Sequence, residues 1–262
     1  NYVNVIGNSA FLNGTGITEV VVEGQRSNND LLIGAKAFFG CDSIATVTFQ
    51  GNGTNAPDVG VITIGTSAFE GAKKLRNLTY ENGANVGQIG ARAFAGCTLL
   101  TKAFIPATTI AVGDGAFAGC EGIYEMIFQS REMEITFGSN VFEGCTNLNT
   151  INLPATLNYF DSSVFSGCDA IDTINVDPAN PNFATHKGAL YTKDYSEILF
   201  YPRALSGDLG ELHGDLRKIG NSVFRGNPNI TSVHLSNKIE TIGESAFAGC
   251  YNLTKVTFAE DA

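Results

Sequence analysis

The stretch Ile242-Gly243-Glu244-Ser245-Ala246-Phe247-Ala248-Gly249-Cys250-Tyr251-Asn252-Leu253, followed by Val256 and Phe258, recurs through the whole chain. The same order appears as Ile6-Gly7-Asn8-Ser9-Ala10-Phe11, Ile33-Gly34-Ala35-Lys36-Ala37-Phe38, Ile64-Gly65-Thr66-Ser67-Ala68-Phe69 and Ile89-Gly90-Ala91-Arg92-Ala93-Phe94. It continues through Phe117, Phe142, Phe165 and Phe224, with Val112, Phe137 and Phe160 in place of the Ile. Successive Phe are 27, 31, 25, 23, 25, 23, 59 and 23 residues apart, so the unit is 23 residues with early insertions and one long divergent stretch. Such self-similarity marks an array in which each unit packs on its neighbours.

The unit reads I-G-x-x-A-F-x-G-C-x-x-L-x-x-V-x-L. Its second half alternates apolar and polar residues and predicts a short strand. In the first half, Ile, Ala, Phe and Cys fall on one side of a short helical turn that the following Gly lets the chain leave. The expectation is an α/β solenoid, a leucine-rich-repeat-like, right-handed, curved array with one short strand and one helical turn per unit. Stacked strands lie ~4.8 Å apart, so the Phe should form a column. Residues 1–262 read as a single solenoid, with a divergent segment over 177–218. Within that segment Ala189 to Thr192 and Glu197 to Tyr201 alternate around a polar turn, which predicts an inserted β-hairpin. No distinct polar cap is visible at either end, so the chain is expected to be a fragment or to cap itself.

The composition fits. The 262 residues are 44% hydrophobic and 16% charged, with 30 Gly, 18 Phe, 6 Cys and no Trp. This is too apolar for disorder, and no apolar run reaches the ~18 residues of a spanning helix. A net charge of −10 argues against nucleic acid or an anionic membrane as partner.

The pattern resembles the BspA-like leucine-rich repeat family of bacterial surface proteins, and Ile242 to Leu253 follows its motif without a departure. Asn180-Pro181-Asn182-Phe183, Gly188-Ala189-Leu190-Tyr191 and Leu199-Phe200-Tyr201-Pro202 are similar to segments of such proteins. The resemblance implies a cell-surface or secreted location, and adhesion or protein recognition with host extracellular matrix proteins such as fibronectin or fibrinogen as partners. The residues themselves imply a large scaffolding surface. The alternative is a carbohydrate-associated surface protein or a passive spacer for another domain.

Little else suggests chemistry. Cys41, Cys97, Cys120, Cys145, Cys168 and Cys250 all stand three residues after a repeat Phe, where Gly14, Ala72 and Asn227 stand elsewhere. There is no C-x-x-C pair for zinc, and a column of parallel side chains is a poor disulfide framework, so reduced, buried thiols acting as small hydrophobes are expected. His186, His213 and His234 share no spacing and read as surface or loop histidines. Gly113-Asp114-Gly115-Ala116-Phe117-Ala118-Gly119 lacks the Lys of a phosphate loop, and Gly65-Thr66-Ser67-Ala68 lacks the second Gly of a nucleophile elbow. Asn52-Gly53-Thr54 and Asn77-Leu78-Thr79 are glycosylation triplets only by chance. No catalytic residue, cofactor or metal is expected.

A partner would meet the outward strand positions, eight, ten and twelve residues after each Phe. The tenth reads Val21, Thr48, Thr79, Phe104, Ile127, Asn152, Asn175, His234 and Thr257, mostly polar β-formers. Phe104 and Ile127 break that surface, flanked at the eighth position by Lys102 and Glu125, and this is the candidate partner site. The lengthened connections over residues 24–32 and 51–63 form a second candidate rim.

Overall fold

The computed structural model describes residues 3–23, 30–51, 60–129, 133–205, 207–209 and 212–259. Most of both lengthened connections, and the triplet at Asn52, therefore lie outside the described residues. The chain forms two compact units, Asn1–Leu148 with Ser163–Cys168, and Asn149–Ser162 with Asp169–Ala262.

The first unit is a stack of coils, each with two strands where one was expected. Glu19–Glu23, Thr46–Gln50 and Asn77–Glu81 pair in parallel, as do Lys102–Ile105 and Glu125–Phe128. These are the expected strands; burial alternates along Glu19–Glu23 through Val20 and Val22, whereas Val47, Thr48 and Phe49 are all buried in Thr46–Gln50. The repeat Ile forms a second, short strand. Val5–Ile6, Leu31–Ile33, Ile62–Ile64, Val86–Ile89, Ala111–Val112 and Thr136–Phe137 make a six-stranded parallel sheet.

The helical turn is not there, which corrects the α/β expectation. Among the described residues the one helical segment is a 3-10 turn, Ser162–Phe165. Elsewhere two left-handed residues flank the Phe. Two before it stand Ser9, Lys36, Ser67, Arg92, Gly115, Asn140, Ser222 and Ser245, with φ of 55° to 59°. Two after it stand Asn13 and then Gly40, Gly71, Gly96, Gly119, Gly144, Gly226 and Gly249, again left-handed. This alternation turns the N–H groups sideways, toward the next coil. Arg92 N donates to Asp114 O at 2.8 Å, Phe94 N to Ala116 O at 2.8 Å, and Gly96 N to Ala118 O at 2.7 Å. An α-helix would aim those donors along its own axis and leave the coils unjoined. The coil that carries the 3-10 turn has Asp161 where the others have Gly four before the Phe.

That Gly is demanded by the stacking. A Cβ on Gly34 would lie 2.7 Å from Asn8 N, on Gly90 2.7 Å from Ile64 O, and on Gly113 2.5 Å from Ala91 N. Backbones approach too closely there for any side chain.

The core is the Phe column. Phe11, Phe38, Phe69, Phe94, Phe117, Phe142 and Phe165 stack with centroids 4.9 to 5.7 Å apart and planes within 11°. Each buried ring contributes about 1.5–3 kcal/mol of transfer free energy, and stacking adds about 0.5–1.5 kcal/mol.

In the second unit Phe224 and Phe247 continue this geometry at 4.8 Å. Thr150–Leu153 pairs with Thr173–Val176, and Gly207–Leu209, Ile230–Leu235 and Lys255–Phe258 form a parallel sheet. The hairpin is present as Ala189–Thr192 and Glu197–Phe200, antiparallel, with Phe183–His186 added as a third strand on the far side of the first. Glu197–Phe200 then pairs in parallel with Lys218–Ile219, so the insertion ends in the place of a repeat's short strand. Asp194 makes the hairpin turn, accepting from Thr192 Oγ1 at 2.7 Å and Ser196 Oγ at 2.8 Å, and these bonds hold its carboxyl down at about 2. Asn180, 1% exposed, anchors the other end: its Nδ2 donates to Pro154 O and Leu157 O, and its Oδ1 accepts from Asn182 N and Phe183 N.

Candidate functional site: the strand face

The strand period places every predicted site residue on one face of its own sheet, but their surroundings differ. Val21 is 47% exposed between Glu19 and Glu23. Thr48, directly in register with Val21 and Thr79, is only 8% exposed, so the central strand closes its surface to a partner. Thr79 Oγ1 donates to Thr48 Oγ1 at 3.1 Å. Similar rungs join Asn175 to Asn152 at 2.9 Å and His234 to Thr257 at 2.8 Å. Much of the polar face thus bonds laterally to itself.

Phe104 and Ile127 stand in register with each other, both half-buried, and Lys102 is in register with Glu125. Lys102 Nζ lies 2.8 Å from Glu125 Oε2 and 5.5 Å from the centre of the Tyr124 ring. The bond to Glu125, and next that to Tyr124, holds the Lys102 ammonium above its ordinary range. The structure therefore brings together an apolar pair and a charged pair, side by side. On its other side Phe104 stacks on Tyr80 at 5.8 Å, and Tyr80 on Phe49 at 5.4 Å. Tyr80 carries a buried hydroxyl with no hydrogen-bond partner among the described residues, and burial pushes its phenol up. An aromatic at the eleventh position in two consecutive units, Phe49 and Tyr80, was the legible sign of this support.

The six cysteines are free and buried, as expected, but they are more than small hydrophobes. Each thiol donates to the carbonyl of the preceding repeat Phe: Cys41 to Phe11 at 2.9 Å, Cys120 to Phe94 at 3.1 Å, Cys168 to Phe142 at 3.0 Å, Cys250 to Phe224 at 2.9 Å, with Cys97 to Phe69 and Cys145 to Phe117 longer. Burial pushes the Cys120 and Cys250 thiols up, which keeps them protonated and unreactive.

His213 lies in a loop and His234 is exposed, as expected, while His186 ends a strand and is half-buried. His186 and His213, unrelated by spacing, have ring centres 5.0 Å apart. Tyr191 and Tyr195 join them. No sequence signal paired these residues, because a hairpin and a loop meet there only through the fold. Among the described residues no group of three or more His, Cys, Asp or Glu could hold a metal ion, and no helix is long and apolar enough to cross a membrane.

A coil of two strands, a Phe column and a left-handed turn defines a leucine-rich-repeat solenoid. The chain belongs to the family described as BspA type leucine rich repeat region, six copies of which match residues 1–59, 62–186 and 210–262. No curated protein matches it. Among solved structures, the Pneumococcal vaccine antigen PcpA is similar with a TM-score of 0.71 at 17% identity, over 98% of this chain and 66% of that one. A leucine rich cell surface protein from Faecalibacterium prausnitzii is similar with a TM-score of 0.71 at 24% identity, over 98% and 65%. A leucine-rich repeat protein from Bacteroides ovatus is similar with a TM-score of 0.64 at 23% identity, over 97% and 64%. The likeness is one of fold, and the chain spans just under two thirds of the length of each.

Proposed function

We propose that this chain is the recognition part of a non-enzymatic bacterial cell-surface or secreted repeat protein, and that it binds another protein through its strand face. The observation that carries the reading is the in-register pair Phe104 and Ile127, half-exposed on an otherwise polar face and rimmed by Lys102 and Glu125. Apolar side chains at the centre with charge at the rim are the usual build of an interface. Val21, Thr48 and Thr79 extend the same column, with Val21 as its accessible apolar end. Family membership supports the reading, as do the names of two similar structures, a vaccine antigen and a cell surface protein. Host extracellular matrix proteins such as fibronectin and fibrinogen are the first partners to test. In a binding screen against them, Phe104→Ser with Ile127→Ser should abolish binding; since both side chains are half-buried and Phe104 stacks on Tyr80, a stability loss of about 2 kcal/mol is expected as well, and folding is checked first. Unchanged affinity in a folded double variant removes this site.

Sugar binding is the second reading. Tyr124, 41% exposed beside Lys102, and Tyr251, 93% exposed, are aromatic platforms of the kind a glycan stacks on. A glycan array in parallel with the protein screen separates the two.

A further inference from the structure

The inserted hairpin and the loop that follows it meet in four rings. His186 ends the strand Phe183–His186, with its ring edge-on to His213 at 5.0 Å, Tyr191 at 6.1 Å and Tyr195 at 6.4 Å. His213 stacks flat on Tyr195 at 4.1 Å and 12°, and meets Tyr191 at 6.3 Å. Three of the four rings belong to residues 183–200, while His213 comes from the loop over 212–216. This contact therefore fastens one segment to the other.

Two of the rings are imidazoles, the side chain whose ordinary range lies just below neutral pH. The surrounding charges treat them unequally. Asp215 Oδ2 lies 3.8 Å from His213 Nδ1, and Asp215 is shared with Lys238, whose Nζ is 3.4 Å from Oδ1 and 2.8 Å from Gly214 O. The groups that act on His186 are cationic or become so, namely His213 and Lys187. In addition His213 Nδ1 accepts the Asp215 N–H at 3.2 Å, a bond that requires the Nδ1 lone pair. A proton on Nδ1 breaks it. Protonation of His186 thus works against the folded junction, whereas a proton on His213 exchanges that bond for an ion pair with Asp215.

We propose that this cluster is an acid-sensitive latch: with the His186 imidazole neutral it holds the inserted hairpin to the 212–216 loop, and protonation of His186 loosens the hairpin. The direction follows from proton linkage. Burial first, then His213, then Lys187 hold the His186 imidazole below its ordinary value. The opened state therefore binds a proton more readily than the closed one. The latch is at full strength above the ordinary imidazole value of ~6.5, and it weakens as pH falls through the lower value of the folded state.

The test uses the whole chain. Histidine ring signals are followed by NMR from pH 8 to 4.5, and amide exchange, corrected for intrinsic rate, is followed over the same range. His186 should titrate below the ordinary imidazole range, and protection of residues 183–200 should fall severalfold relative to Lys102–Ile105 as the pH drops through that titration. His186→Phe keeps an aromatic ring and cannot take the proton, so its hairpin should lose that pH dependence. Titration of His186 at or above the ordinary imidazole value, or a His186→Phe protein with the wild-type pH profile, overturns the proposal. If His186→Phe does not fold, the wild-type titration alone decides.

Discussion

The coil around Phe94 and the ground beneath Phe224 solve one problem in two ways. Around Phe94, three backbone N–H groups meet three carbonyls of the next coil, and the Cys120 thiol of that coil donates to Phe94 O beside them. Beneath Phe224 no regular coil precedes, and Arg203 supplies a donor instead: its Nη2 donates to Arg225 O at 2.9 Å and its Nη1 to Asp169 Oδ1 at 2.8 Å. Arg225 O is the equivalent of Ala95 O, which accepts from Gly71 N at 2.9 Å in the regular stack. A guanidinium thus stands where a glycine amide would. Asn180 plays a similar part at the start of the insertion. The repeat joins its coils through backbone amides with a column of thiols beside them, whereas the ends of the insertion are fixed by individual polar side chains.

Substitutions should separate the two modes. The largest loss is expected at Asn180→Ala, which strips four hydrogen bonds from a buried junction and should cost about 3 kcal/mol in chemical denaturation. Stability unaltered by that change would mean that the insertion does not depend on its anchor. Next comes Gly90→Ala, where a Cβ would meet Ile64 O and Gly65 C at 2.7 Å, expected to cost about 2 kcal/mol. Its control is Gly7→Ala, at the same repeat position but with nothing within 4 Å, expected to stay within about 0.5 kcal/mol. Equal effects at the two glycines would refute close stacking as the reason for the conserved spacing within the chain. The smallest loss is Arg203→Gln, about 1 kcal/mol, since the guanidinium is partly exposed.

The repeat register, the Phe column, the long strands and the hairpin strands could all be read from residue spacing. Spacing alone could not tell the helical turn from the left-handed one, since both bury Ile, Ala, Phe and Cys on one side. The distinguishing sign was present in the residues two before the Phe, Ser9, Lys36, Ser67, Arg92, Gly115 and Asn140. None is β-branched, as a left-handed position requires. The Phe104 and Ile127 pair was legible because strand pairing follows the repeat. Burial of Thr48 was not, because it depends on neighbours across the sheet. The His186 and His213 contact was hidden for a stronger reason: it joins two segments outside the repeat, whose meeting no period encodes.

The claim on which the fold rests is that alternate amides of the Phe-bearing turn, those of Arg92, Phe94 and Gly96, bond to the neighbouring coil, while Ala93, Ala95 and Cys97 close the turn three residues back. The direct measurement is NMR detection of scalar coupling across hydrogen bonds between amide nitrogen and carbonyl carbon. Couplings from Arg92 N to Asp114 C, Phe94 N to Ala116 C and Gly96 N to Ala118 C are expected. Couplings from these nitrogens to carbonyls four residues earlier in the same turn would mean that the turn is a helix after all, and would contradict this account.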